Sequence, residues 1–204
     1  MRPGYKTLAF RLLMTAALTA IPASTLAAPP QELIAALAEG GKAVMMRHTQ
    51  TQEAEPEVSM HLSGDCEEEQ NLDATGRAQA EAIAAGFAAH GIAVAEVYSS
   101  EFCRARDTAR LAFGEFEAWD ALNLVEIQDP TDLAFVMADV EERMGEFEGE
   151  GNLVLISHRS TINTVTFQQT EPGDMVVLQP DGAGSAEVLG ILPVAALTGA
   201  ETAP

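Results

Sequence analysis

Asn152-Leu153-Val154-Leu155-Ile156-Ser157-His158-Arg159-Ser160-Thr161 is the stretch whose reading decides the fold. Four apolar residues in succession, too few for an ordinary helix, read as a strand buried on both faces. The polar residues that follow then project from the strand's carboxyl end, where open α/β sheets place their ligands. The same pattern stands earlier in the chain as Ala43-Val44-Met45-Met46-Arg47-His48-Thr49-Gln50-Thr51. Only four histidines are present, and two of them occupy this one context. Two buried strands, each delivering a histidine to a common edge, form the core of the reading.

The flanking sequence supplies the remaining elements. Gln31 to Glu39 reads as a short helix stopped by Gly40-Gly41, and Lys42 to Arg47 as the first strand. Thr49 to Glu69 is acidic and without sustained periodicity, a loop of the length associated with lids and binding loops. Asp73 caps a helix that runs to Gly91, with Ala78, Ala82, Ile83, Ala85 and Phe87 as its apolar positions. Ile92 to Tyr98 is a second strand, and Glu101 to Phe113 a helix with Phe102, Ala105, Ala109 and Ala112 on one side. Leu122 to Ile127 reads as a third strand, and a helix spans Thr131 to about Met144. Ser160 to Gln168 continues from the strongest strand as a helix. Asp174 to Gln179 and Glu187 to Leu192 close the sheet around a Pro180-Asp181-Gly182 turn. Alternating strands and helices predict a three-layer α/β/α sandwich with a mostly parallel central sheet.

Composition bounds the function. Arg2, Lys6 and Arg11 precede an apolar segment, Leu12 to Ile21, and a small-residue run, Ala23 to Ala28. This is the order of a secretory signal peptide, so residues 1–28 are expected to be removed, with cleavage near Ala27 or Ala28. The domain is expected over 29–194, with a frayed tail over 195–204, and the product in the periplasm or secreted. No segment is long and apolar enough to span a bilayer. Without the three leading cations, eight Lys and Arg face 31 Asp and Glu, and the net charge moves from −20 to −23. Such a surface repels nucleic acid and anionic membranes. The cations that remain are therefore informative. Lys42, Arg47 and Arg159 flank the two histidine strands, and a guanidinium fork at a ligand-binding edge matches phosphate or carboxylate. The second strand adds Ser99-Ser100 and, one helical turn later, Arg104. Two imidazoles among guanidinium groups make a pocket suited to a phosphoryl dianion.

Four segments now carry a resemblance. Arg47-His48-Thr49-Gln50-Thr51 resembles an Arg-His-Gly-x-Thr signature, and Asn71-Leu72-Asp73-Ala74-Thr75-Gly76-Arg77-Ala78-Gln79-Ala80 a segment of the form N-L-[ST]-x-x-G-x-x-Q-A. Ser99-Ser100-Glu101-Phe102-Cys103-Arg104-Ala105-Arg106-Asp107-Thr108-Ala109 resembles S-S-x-x-x-R-A-x-x-T-A, and Ser157-His158-Arg159-Ser160-Thr161-Ile162 resembles [ST]-H-G-x-x-I. In this order and spacing they are similar to the histidine phosphatase superfamily, the phosphoglycerate-mutase-like group. The resemblance implies an α/β/α fold and hydrolysis of a small phosphorylated substrate. In it His48 is the nucleophile, and Arg47, Arg104 and His158 hold the nonbridging oxygens. Thr51 and Arg159 join the substrate-binding set. No cofactor or metal is implied. The proton donor falls beyond Arg104, at Asp120, Glu126 or another acid, and the substrate and oligomeric state are left open.

Two positions depart from the pattern. Thr49 replaces a glycine and either narrows the pocket or alters the turn, and Arg159 replaces a small residue and either adds an anion contact or faces solvent. An exported glycolytic mutase has no rationale, which leaves a phosphatase as the main reading. A non-catalytic phosphate-binding relative of the same fold, or a structural envelope protein, are the rivals. Cys66 and Cys103 each precede a segment that packs near the pocket in the family, so they are either bridged, pinning the long loop to the helix of Arg104, or free thiols.

Overall fold

The structure is a computed structural model that describes residues 27–199. The signal-peptide reading falls on residues 1–26, outside the described residues, apart from its last two positions. Six strands form one sheet in the order β3-β2-β4-β1-β5-β6. In chain order the elements are α1 (Pro30–Glu39), β1 (Ala43–Arg47), α2 (Pro56–Ser59), α3 (Ala74–Ala89), β2 (Val94–Ser99), α4 (Cys103–Phe113), β3 (Glu117–Ala118), α5 (Leu133–Gly145), β4 (Asn152–Ser157), α6 (Arg159–Thr166), β5 (Met175–Pro180), β6 (Ala186–Leu192) and α7 (Val194–Thr198). β1 pairs with β4, β4 with β2 and β2 with β3 in parallel, and β5 is antiparallel to both its neighbours.

The apolar runs are buried on both faces because helices cover both. Val44, Met46, Val154 and Ile156 face α1, α3, α4 and α7, whereas Met45, Leu153 and Leu155 face α5 and α6. Alternate residues of one strand thus enter two cores, as the pleat requires. Their parallel pairing sets Arg47 opposite Ser157, and the His48 N–H donates to the Ser157 carbonyl at 3.0 Å. The two histidines therefore leave the sheet side by side.

Three details differ from the sequence reading. The third strand is Glu117–Ala118, and residues 120–127 form two 3-10 turns. Carbonyls there accept from side chains instead of from a strand: Leu122 from Ser157 Oγ at 2.7 Å, and Asn123 from Thr161 Oγ1 at 2.8 Å. On α3 the buried face is Gly76, Ala80, Ile83, Gly86 and Phe87, while Ala78 and Ala85 are exposed. In so alanine-rich a helix, alanine does not mark a face; the i, i+4, i+7 spacing of Gly76, Ala80 and Ile83 does. Residues 195–198, placed in the frayed tail, belong to α7. Leu197 is buried there, and Gly86 of α3 lies so near that a Cβ would come 2.7 Å from Leu197 Cγ.

Candidate active site

His48 is held from three directions. Its backbone continues the β1–β4 ladder, and the loop after it is clamped by α3 and α4. Gln79 Oε1 accepts from the Gln50 N–H at 3.0 Å, and Thr108 Oγ1 from the Thr49 N–H at 3.1 Å. Gly76 lets α3 approach this loop, since a Cβ there would lie 1.9 Å from the Gln50 carbonyl oxygen. The second and third motifs thus act largely by positioning the first.

The Thr49 substitution is absorbed by that packing. Its hydroxyl lies 3.2 Å from Thr108 Oγ1 and it is fully buried, off the pocket wall. Its φ is not positive, so the turn does not call for glycine. Pocket narrowing is therefore not its effect.

The His48 ring is oriented by one bond. Nδ1 lies 2.9 Å from the Thr49 carbonyl oxygen. A carbonyl only accepts, so Nδ1 carries the proton and Nε2 keeps its lone pair. Burial, reinforced by the Arg104 cation, lowers its pKa from 6.5 to about 3; the Thr49 bond opposes that shift and Arg47 adds to it. The imidazole is neutral at physiological pH, as a nucleophile must be.

His158, 5.3 Å from His48 between ring centroids, is wired into a polar chain. Arg104 Nη2 donates to its Nδ1 at 3.3 Å, its Nε2 donates to Ser100 Oγ at 2.8 Å, and Ser100 Oγ donates to Asn123 Oδ1 at 2.8 Å. Asn123 in turn donates to the Glu101 carboxylate at 2.9 Å. Burial first, then Arg104, holds the His158 pKa well below its ordinary value.

Arg104 is a buried cation and Arg47 a half-buried one, and both have spare donors. Arg47 Nη1 donates to the Thr170 carbonyl at 2.8 Å, and Arg104 Nη2 to the Ser59 carbonyl at 3.0 Å. Arg47 Nε, Arg104 Nε and Arg104 Nη1 have no partner among the described residues. Burial lowers the Arg104 pKa to about 10, which Glu69 opposes, and the group stays charged at neutral pH. Buried guanidinium donors with no protein acceptor favour an anionic ligand.

These groups line a cavity of about 390 Å3. Arg47, His48, Arg104 and His158 meet there as read from the sequence, with Thr51 and the exposed Arg159 also on the wall. Glu126 lines it as well, its Oε2 accepting from Ser160 Oγ at 2.8 Å, whereas Asp120 does not. Arg104 does not pair with Asp107, which binds Arg77 and Arg110 instead. No cluster of three or more His, Cys, Asp or Glu suited to a metal occurs among the described residues, and no helix there is long and apolar enough to cross a membrane.

The long loop contributes to the pocket as its length suggested, but the sequence reading missed Glu69 in it. Cys66 and Cys103 form a disulfide with Cα atoms 5.6 Å apart, tying that loop to α4. Beside it the buried Glu69 accepts from the Cys103 N–H at 2.8 Å and from Gly64 N–H at 3.1 Å. Ser59, Met60 and Gln70 from the same loop line the cavity. One glutamate among 31 acids carries no local signal of burial, so no pattern marked it.

Fold and site together are similar to those of known phosphatases. Residues 43–128 match the model of the histidine phosphatase superfamily, branch 1. The fold is similar to that of the protein histidine phosphatase SixA complexed with tungstate, with TM-score 0.56, 13% identity and coverage of 76% of this chain and 99% of that one. It is also similar to a phosphoserine phosphatase mutant from Entamoeba histolytica in complex with phosphoserine, with TM-score 0.54, 14% identity and coverage of 76% and 98%. No curated protein matches the sequence. Over residues 43–128 the chain is thus similar to the histidine phosphatase superfamily.

Proposed function

We propose that this protein hydrolyses a small phosphomonoester, without a metal, through a phosphohistidine on Nε2 of His48. The observation that carries this is the Thr49 bond to Nδ1, which leaves a neutral Nε2 lone pair among the Arg47 and Arg104 donors. Nε2 attacks phosphorus as the ester P–O bond breaks, and Arg47 and Arg104 bind the nonbridging oxygens. Glu126 gives its proton to the departing alkoxide. Water then attacks phosphorus, the N–P bond breaks with its electron pair returning to Nε2, and Glu126 takes the water's proton. His158, neutral and fixed by Ser100, keeps Arg104 oriented on the phosphoryl group. The phosphate analogue tungstate on SixA and phosphoserine on the Entamoeba enzyme agree with this class of ligand.

The test is hydrolysis of a panel of phosphoesters, with trapping of an acid-labile phosphoenzyme. Turnover that persists in EDTA and is lost in His48→Ala is expected. Full turnover in a folded His48→Ala protein, or loss on chelation restored by zinc or magnesium, would overturn the route. Binding of phosphate without turnover would favour the non-catalytic reading.

We also propose that the chain is exported. The basic, apolar and small-residue segments before Ala28 support this, as does the disulfide, which persists in oxidising compartments. The Ala28 N–H donates to the Leu189 carbonyl at 2.9 Å, which favours cleavage before Ala28.

A further inference from the structure

Eight Lys and Arg lie among the described residues, and six have identifiable acceptors. Arg77 and Arg110 share Asp107, and Arg143 binds Glu96. Lys42, Arg47 and Arg104 donate to the carbonyls of Gly40, Thr170 and Ser59. Arg106 and Arg159 make no hydrogen bond or ion pair there. Arg106 lies by a separate depression with Leu62 and Phe116, but Arg159 stands on the wall of the active-site cavity.

In a chain with 31 acidic residues, a free guanidinium beside one buried and one half-buried cation calls for an explanation. Glu126 does not supply it: it lines the same cavity, yet it bonds Ser160 and forms no ion pair with Arg159. Arg47 and Arg159 repel, and after burial Arg159 is the main cause lowering the Arg47 pKa. Arg47 feels Glu171 and Asp174, and Arg104 feels Glu69, only at longer range. No ion pair reaches any of the three cations among the described residues, so an anionic ligand that meets all three relieves them.

We infer that Arg159 binds a second anionic group of the substrate, which is therefore a small phosphomonoester bearing one carboxylate. The inference rests on the phosphatase reading above. Charge balance selects the carboxylate: Arg47 and Arg104 match a phosphoryl dianion, and Arg159 adds one positive charge. The planar guanidinium takes a carboxylate in a paired, two-bond geometry. Arg159 follows His158 directly, at the first position of α6, so the backbone that fixes the imidazole also fixes the root of the second contact.

The test uses non-hydrolysable ligands on the intact protein. Methylphosphonate and phosphonoacetate both carry the phosphoryl-like group, and only the second carries a carboxylate. Calorimetric titration is expected to show phosphonoacetate binding roughly tenfold tighter, the worth of one charge-assisted contact. In Arg159→Ala the ratio of the two affinities falls to about one, and Arg159→Lys restores part of it. A ratio near one in the unaltered protein, or a ratio that survives Arg159→Ala, would overturn the inference. Tighter binding of methylenebisphosphonate than of phosphonoacetate would overturn the single-charge assignment. Failure of the unaltered protein to bind methylphosphonate at all would instead defeat the phosphatase reading, and this inference with it.

Discussion

At the scale of single residues, the site works by withholding partners. Nδ1 of His48 is bonded and Nε2 is not, and three guanidinium nitrogens of Arg47 and Arg104 are buried unpaired. Such groups cost stability, and their pH dependence follows. The unfolded His48 binds a proton near 6.5 and the folded one near about 3, so between these values the unfolded state holds more protons. Stability therefore falls as pH drops from 6.5 toward 3, by up to about 1.4 kcal/mol per pH unit for this group. His158, shifted in the same direction, adds to the slope. Denaturant titrations at several pH values should show His48→Asn with a flatter acid limb than the parent. An identical limb in both proteins would contradict the buried, neutral state of His48.

At the scale of elements, the long loop is a structural part of the pocket. Its carbonyl at Ser59 takes a bond from Arg104, its Glu69 faces the first N–H of α4, and the disulfide joins it to that helix. A negative carboxylate at a helix N-terminus is favourable in its own right. Closing the segment between Cys66 and Cys103 is worth roughly 3–4 kcal/mol in the loop-entropy model. Reduction is thus expected to lower the melting temperature and weaken binding of a phosphate analogue together. Thiol counting checks the premise: two alkylatable thiols in native, unreduced protein would remove it. Retained analogue affinity after reduction would show that the loop does not shape the pocket.

At the scale of the whole molecule, the surface is anionic and the cavity cationic. Of the eight described cations, Arg77, Arg110 and Arg143 pair with Asp107 or Glu96, and Arg47 and Arg104 line the cavity together with Arg159. The field around an acidic chain disfavours nucleic acid, so selection of an anion falls to the recessed pocket, where burial reduces screening. The proposed export also belongs to this scale. N-terminal sequencing of protein recovered from the exported fraction is expected to begin at or next to Ala28. An intact Met1 terminus on cytoplasmic protein would refute it.

Sequence alone determined the central strands, their mostly parallel pairing and the gathering of Arg47, His48, Arg104 and His158 at one edge of the sheet. These are local facts: short apolar runs ending in polar groups leave few alternatives once the strands pair, and chain chemistry marks each strand end. Tertiary structure decided what depends on distant contacts. Residues 120–127 looked like a strand by composition, but Ser157 and Thr161 claim their carbonyls, and those partners lie more than thirty residues away. Thr49 looked obstructive by size, but Thr108 draws its hydroxyl off the pocket wall. Glu126 was separated from Asp120 as the acid on the cavity, and Glu69 was found, only when the loops were in place. Burial and hydrogen-bond partnership are properties of where the chain returns, and no window of neighbouring residues contains them.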